Sequence, residues 1–267
     1  MTRRTNAPLV LLAALIAAAI GLTAPVKADD KPDSSIKTKT IEASVTIDPA
    51  LKAYPGLYSR LLAAGKREMA KWRADADKDF RDNPDMFRDR RSYQFERSYQ
   101  QDSAIQGYVS IVRADYTDSV GAHPNHYTDT LLWDTKARKF ISIRPFFKET
   151  QPHGPTMSAL ATAIKNAVVA AKIAHGISAK EANDPMWIGN IKPDLTKIGA
   201  VSLARSTEHD KSAGLTVYFS PYAVGPYVEG DYTVFVPWAA FKTHLSHAGA
   251  ALFGGERPKG DADKDKN

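Results

Sequence analysis

Tyr93-Gln94-Phe95-Glu96-Arg97-Ser98-Tyr99-Gln100 alternates large side chains with smaller polar ones. A period of two places Tyr93, Phe95, Arg97 and Tyr99 on one face of a strand and Gln94, Glu96, Ser98 and Gln100 on the other. Asp102-Ser103 reads as a turn and residues 104–116 as a long partner strand. A loop over 119–126 leads to a third strand at 127–133, and the polar stretch 134–139 turns the chain into residues 140–143. The pattern is a meander of antiparallel hairpins.

Outward from the meander the period changes. Residues 37–47 are β-branched and roughly alternating, so they predict a strand. After Pro55-Gly56, the residues Leu57, Leu61, Met69, Trp72 and Phe80 recur at helical spacing, and the charge run 75–91 reads as a helix end and an exposed loop. Downstream, Met157, Leu160, Ile164, Val168 and Ala171 make one face of a second helix that Gly176 stops. Short strands follow at 200–205, 214–219 and 232–236, and a closing helix from Trp238 turns Trp238, Phe241 and Leu245 inward. Runs of strands with helices inserted between them argue for an α+β fold. The expected architecture is antiparallel β meander and hairpins with two or three helices packed on one side, in two intertwined subdomains.

The N-terminus has its own grammar. Arg3 and Arg4 precede an apolar run over 7–24, and Val26-Lys27-Ala28 offers a small-residue cleavage site. This is the layout of a secretory signal peptide over residues 1–28, cleaved after Ala28, which implies a periplasmic or secreted protein. The alternative is an uncleaved membrane anchor, the one route to a membrane that the sequence offers. The chain has 267 residues and a formal net charge of +6; removing Arg3, Arg4 and Lys27 leaves +3 on the remaining 239 residues. That small excess gives no reason to expect nucleic acid as a partner. From Gly254 onward no large apolar residue occurs, and residues 254–267 read as a solvated tail.

Chemistry-bearing motifs are few. With no cysteine, disulfides, thiolate metal sites and cysteine nucleophiles are excluded. No G-x-S-x-G, S-x-x-K or Walker loop is present, and the Asp-x-Asp-x-Asp runs at 75–79 and 261–265 lack the glycine and glutamate of a calcium loop. His123-Pro124-Asn125-His126 admits two readings: a metal or base site, or a tight loop in which Gly121 and Asn125 take unusual backbone angles. His244 and His247 read as cations at the carbonyl end of the last helix. Phe219-Ser220-Pro221-Tyr222-Ala223-Val224-Gly225-Pro226-Tyr227, ending at Gly230, is a proline-stiffened aromatic loop. It suits either a binding surface or an aromatic corner that packs against the meander.

These segments in this order resemble an extracytoplasmic module of the RsiV/PdaC type. In that module a PdaC-like part, here 36–120, precedes an RsiV C-terminal-like domain of unknown function, here 121–247. The family's Gly-Gly-Ala-His-Gly-Asn segment appears as Val120-Gly121-Ala122-His123-Pro124-Asn125. Its hairpin with a polar turn and closing aromatic appears over 128–147, and its aromatic-Tyr-x-x-x-Pro-Tyr loop over 219–230. Val120 and Pro124 depart from family glycines, and Gly225 stands where alanine is usual. The resemblance implies a cell-envelope setting, with lysozyme binding in RsiV-like proteins and a glycan enzyme alongside the module in PdaC-like ones. No deacetylase domain with its metal-binding motifs is present. The expectation is therefore a non-enzymatic module that needs no cofactor or metal and recognises a lysozyme-like hydrolase or peptidoglycan. Its surface would comprise Gly121, Ala122, His123, Asn125, Tyr222, Pro226 and Tyr227. The alternative is an envelope glycan hydrolase or deacetylase-type enzyme using His123 and His126.

Overall fold

A computed structural model describes residues 31–261. The expected signal segment over 1–28 lies outside the described residues, as does 262–267.

The chain is α+β, with two sheets that are antiparallel apart from one strand pair. The first sheet has six strands in sequence order: β1 (Ser34–Lys37), β2 (Ile41–Ile47), β3 (Tyr93–Ile105), β4 (Tyr108–Asp118), β5 (Asn125–Asp134) and β6 (Lys139–Ile141). β2 and β3 pair in parallel, which requires a crossover, and helix α1 (Pro55–Asp82) supplies it. Every other pair in this sheet is antiparallel, as the meander pattern predicts. Proline at the first helical position starts α1, where its missing N–H has no partner to lose. The helix buries Leu57, Leu61, Gly65, Met69 and Ala76 in one core with Ile41, Ala43, Val45 and Ile47 of β2 and with Tyr93, Phe95 and Tyr99 of β3. Arg97 lies in the same row as these aromatics. It is buried, and its guanidinium donates to both carboxylate oxygens of Asp115 at 2.6 Å across the β3–β4 pair.

The second sheet is β7 (Ala200–Arg205), β8 (Ser212–Phe219) and β9 (Tyr232–Pro237). Helix α2 (Pro155–Ala174) is long and apolar enough by composition to cross a bilayer. Here its Met157, Leu160, Ile164 and Val168 are buried in a core with Leu203, Leu215, Val217, Val234 and Val236. Gly176 takes φ +89° and stops the helix as its sequence position predicts. Short helices α3 (Ala179–Ala182) and α4 (Pro185–Ile188) lead to β7, and α5 (His247–Leu252) follows β9.

Hydroxyls stitch the two sheets together. Ser103 donates to the Leu203 carbonyl at 2.6 Å, the Leu203 N–H donates to Ser110 Oγ at 3.1 Å, and Thr130 donates to the Val201 carbonyl at 2.8 Å. Ser202 adds a bond to Asp102 at 2.6 Å. Backbone groups on the free edge of β7 are thus satisfied by side chains of β3, β4 and β5.

Several local expectations are corrected. The strand expected over 37–47 is two strands, folded back at Thr38, whose N–H donates to the Ile41 carbonyl. Asp102-Ser103 is a bulge, not a turn; β3 runs on to Ile105, and Gln106 and Gly107, at φ +50° and +82°, make the hairpin. The charge run after Asp75 stays helical to Asp82, and Phe87 beyond it is buried against Phe80 and Tyr93. No single helix follows Trp238. The chain makes two 3-10 turns over 238–244, because backbone bonds Lys148 N to His244 O and Ser246 N to Phe146 O tie it down. Phe241 and Leu245 do point inward. His247 accordingly begins α5, and His244 ends a 3-10 turn. The tail expected from Gly254 is docked as far as Asp261. Trp238 Nε1 donates to the Gly255 carbonyl, and Arg205 pairs with Asp261 at 3.2 Å.

Gly65 gives a test of the α1 packing. Alanine in a helix interior ordinarily stabilises relative to glycine by about 1 kcal/mol, but a Cβ here would fall 2.7 and 2.8 Å from the two methyl carbons of Val45. Gly65→Ala is expected to lower stability in urea by about 1–3 kcal/mol, and adding Val45→Ala is expected to make the Gly65→Ala step neutral or stabilising. A Gly65→Ala protein as stable as the parent would contradict this packing.

Candidate functional site

The face of the first sheet opposite α1 is polar, and its rows follow from strand register. Ser44, Glu96, Tyr116 and His126 stand side by side across β2–β5, and Thr46, Ser98, Ala114 and Thr128 form the next row. On the second sheet, the face turned from α2 carries Thr216, Tyr218 and Thr233. These two faces enclose a cleft of about 770 Å³, closed on one side by Ala204, Arg205, Arg257 and Asp261. Period-two alternation thus yields apolar outer faces that pack on helices and inner faces rich in hydroxyl, amide and carboxyl groups.

The two loops singled out in the sequence meet at the Tyr116–His126 end of the cleft. His123 lies on Tyr227 with ring centroids 4.5 Å apart, and Tyr227 lies 5.4 Å from Tyr222. Tyr227 donates its hydroxyl to the Pro124 carbonyl at 3.0 Å, and the Thr128 N–H donates to Ser220 Oγ at 2.8 Å. Tyr222 is 51% exposed and Val228 90% exposed. Asn125 pairs with Thr117 as the first residue of β5, and Pro226 caps the 3-10 turn Tyr227–Glu229. Gly121 and Ala122 are exposed.

One expectation about these loops is overturned. Gly121 does not have positive φ; its neighbour Val120 does, at +61°, with its N–H bonded to Asp118 Oδ1. Tyr222 is also left-handed, at +69°. A β-branched valine and a tyrosine in this region store backbone strain, one in each of the loops that meet. His123 and His126, although three residues apart, pack on different tyrosines: His123 on Tyr227 and His126 on Tyr116. Among the described residues, no three His, Asp or Glu side chains gather as a metal site would require.

What fixes the aromatic loop is a residue that the sequence reading passed over. Lys172 of α2 is fully buried and donates to the Val224 carbonyl at 2.8 Å. Its ammonium also lies 3.1 Å from Glu229 Oε2, and the same carboxylate oxygen accepts the Tyr232 hydroxyl at 2.7 Å. Burial, then the Glu229 carboxylate, hold the Tyr232 phenol well above its ordinary range. Gly225 is needed beside this group, since a Cβ there would lie 2.4 Å from Glu229 Oε2. Asn190 donates to the Ala223 carbonyl at 3.1 Å and completes the anchoring.

A second overlooked residue is Asp231, which follows the loop and lines the cleft. Its Oδ1 is shielded from solvent and accepts no hydrogen bond from the described residues. Burial raises its carboxyl above the usual carboxylate range, and His126 opposes that shift. The folded state therefore binds the Asp231 proton more tightly than the unfolded chain does. Its ionisation costs stability as pH rises out of the carboxylate range through the folded value, and that cost persists at neutral pH.

Two outcomes follow for stability. Lys172→Met leaves Glu229 without its cation and should cost about 3–5 kcal/mol in urea unfolding, most of it recovered when Glu229→Gln is added. Asp231→Asn should raise the thermal midpoint at neutral pH by about 2 °C and leave it unchanged at pH below the carboxylate range. A fall at neutral pH would show that the ionised carboxylate is stabilising.

Residues 206–239, from the end of β7 through β8, the aromatic loop, β9 and the turn after it, match the family described as "Protein of unknown function (DUF3298)". No curated protein matches the chain. A DUF3298-family structure from Bacteroides fragilis is similar over 82% of this chain and 94% of its own, with a TM-score of 0.54 and 17% identity. Another, from Pseudomonas aeruginosa, is similar over 85% of this chain and 99% of its own, with a TM-score of 0.54 and 14% identity. The chain thus carries a DUF3298 segment around its aromatic loop, within a fold shared with two structures of that family.

Proposed function

We propose that this chain is an exported, non-enzymatic binding module of the cell envelope that takes a peptidoglycan strand into the cleft between its sheets. The observation that carries the reading is the pair of facing sheet surfaces. Ser44, Thr46, Ser98, Gln100, Thr128, Thr216 and Thr233 offer hydroxyl and amide partners, and Tyr116 and Tyr218 offer flat apolar area. Polyhydroxylated rings need that combination: hydrogen bonds at the edges and aromatic surface beneath. Export is supported by the Arg3-Arg4, apolar run and Val26-Lys27-Ala28 sequence. The RsiV/PdaC-type resemblance supports the envelope setting, and the DUF3298 segment falls on the loop that borders the cleft.

A second reading has its own observation. Tyr222 and Val228 are exposed beside Tyr227 on a strained, anchored loop, a surface suited to a protein such as a lysozyme-like hydrolase.

The chain beginning at Asp29, incubated with purified peptidoglycan sacculi and separately with lysozyme-coupled resin, tests both. Co-sedimentation with sacculi is expected. Ser98→Trp, which fills the cleft floor from an already solvated position, should abolish it without lowering the thermal midpoint. Retention on lysozyme alone would move the reading to the aromatic loop, and retention on neither would overturn it.

A further inference from the structure

We infer that the cleft selects ligands bearing a protonated amine beside their hydroxyls, so that within a glycan it distinguishes free amino sugars from N-acetylated ones. This rests on the glycan reading above and concerns the same cleft. The carboxylates lining it are Glu96, Asp102, Asp115, Asp231 and Asp261; the guanidiniums are Arg97, Arg205 and Arg257. Five against three leaves −2, inside a chain whose formal charge is +6, or +3 after the expected cleavage. The imbalance survives removal of the pairs already described. Arg97 is matched to Asp115, on the α1 side of the sheet, and Arg205 to Asp261.

Asp231 gives the imbalance a location. Its carboxyl lines the cleft, and its Oδ1, shielded from solvent, accepts no hydrogen bond from the described residues. A ligand ammonium beside this carboxylate would bring an opposite charge as well as a donor, whereas an acetamide N–H would bring a donor only. Tyr116 and Tyr218 around the cleft add aromatic faces that favour a cation.

The preference is pH-dependent with a defined sign. Asp231 must be ionised to hold an ammonium, and burial keeps it protonated to higher pH than an ordinary carboxylate. His126 is the titratable neighbour that opposes this, and Glu96, Asp102 and Asp261 add negative charge from β3 and the C-terminal segment, against Arg205 and Arg257. Affinity for an amine therefore rises as pH climbs out of the usual carboxylate range and Asp231 ionises, while affinity for an N-acetylated ligand stays flat.

Calorimetric titration of the mature chain with a β-1,4-linked glucosamine tetramer and its N-acetylated counterpart decides the matter. The free amine should bind at least about tenfold tighter, with the stated pH dependence. Asp231→Asn should bring the two affinities together in a protein that remains folded by its thermal midpoint; Glu96→Gln should narrow the gap in part. Equal affinities in the parent chain would overturn the amine preference and leave the glycan reading standing. Binding of neither tetramer, with sacculi still retained, would likewise overturn this inference alone. Loss of sacculus binding as well would remove both.

Discussion

Three hydroxyl groups hold the second sheet on the first. Ser103, Ser110 and Thr130 satisfy the Val201 carbonyl and both the N–H and the carbonyl of Leu203, so this stretch of the β7 edge is closed by side chains of the meander. An unclosed edge would either invite another strand or leave buried polar groups unpaired. Closure by side chains lets the two sheets meet without merging. The polar faces beyond the seam are then left apart, and the cleft is the space between them.

The loop bordering that cleft is fixed from behind. Lys172, Glu229 and Tyr232 form a buried polar group whose members satisfy one another, and the Val224 carbonyl takes a further proton of the ammonium. Such groups stabilise little in net terms, but half-satisfied they are costly, so they favour one conformation over its neighbours. That is how a loop with a left-handed tyrosine keeps its shape while Tyr222 stays exposed. Tyr227 then ties the loop to the Pro124 carbonyl, bringing together two segments about a hundred residues apart in sequence.

Much of this was readable in the chain. Alternation in β3 placed Tyr93, Phe95 and Tyr99 against α1 and left Glu96, Ser98 and Gln100 for the opposite face, which is the cleft floor. His123, Tyr222 and Tyr227 were singled out as surface residues, and they do assemble. Other features were hidden for physical reasons. Lys172 continues the apolar row of α2 after Ile164 and Val168, but a lysine in such a row looks like the start of a solvated face until its partner from the distant loop is known. Asp102 looks like a turn former; a bulge and its bond to Ser202 make it part of the sheet seam. Asp231 carries no local pattern, because its burial arises only when two sheets close over it. Residues 254–261 lack large side chains and so read as tail, yet they dock through Gly255 backbone and the charged groups of Arg257 and Asp261.

The central claim is that a ligand lies between the two sheets. Amide chemical-shift mapping of the isotope-labelled mature chain during titration with a soluble muropeptide tests it directly. Shifts concentrated on Glu96, Ser98, Tyr116, Thr128, Thr216 and Asp231 are the predicted result. Shifts confined to the exposed helix faces of α1 and α2, with the sheet interior unmoved, would contradict it.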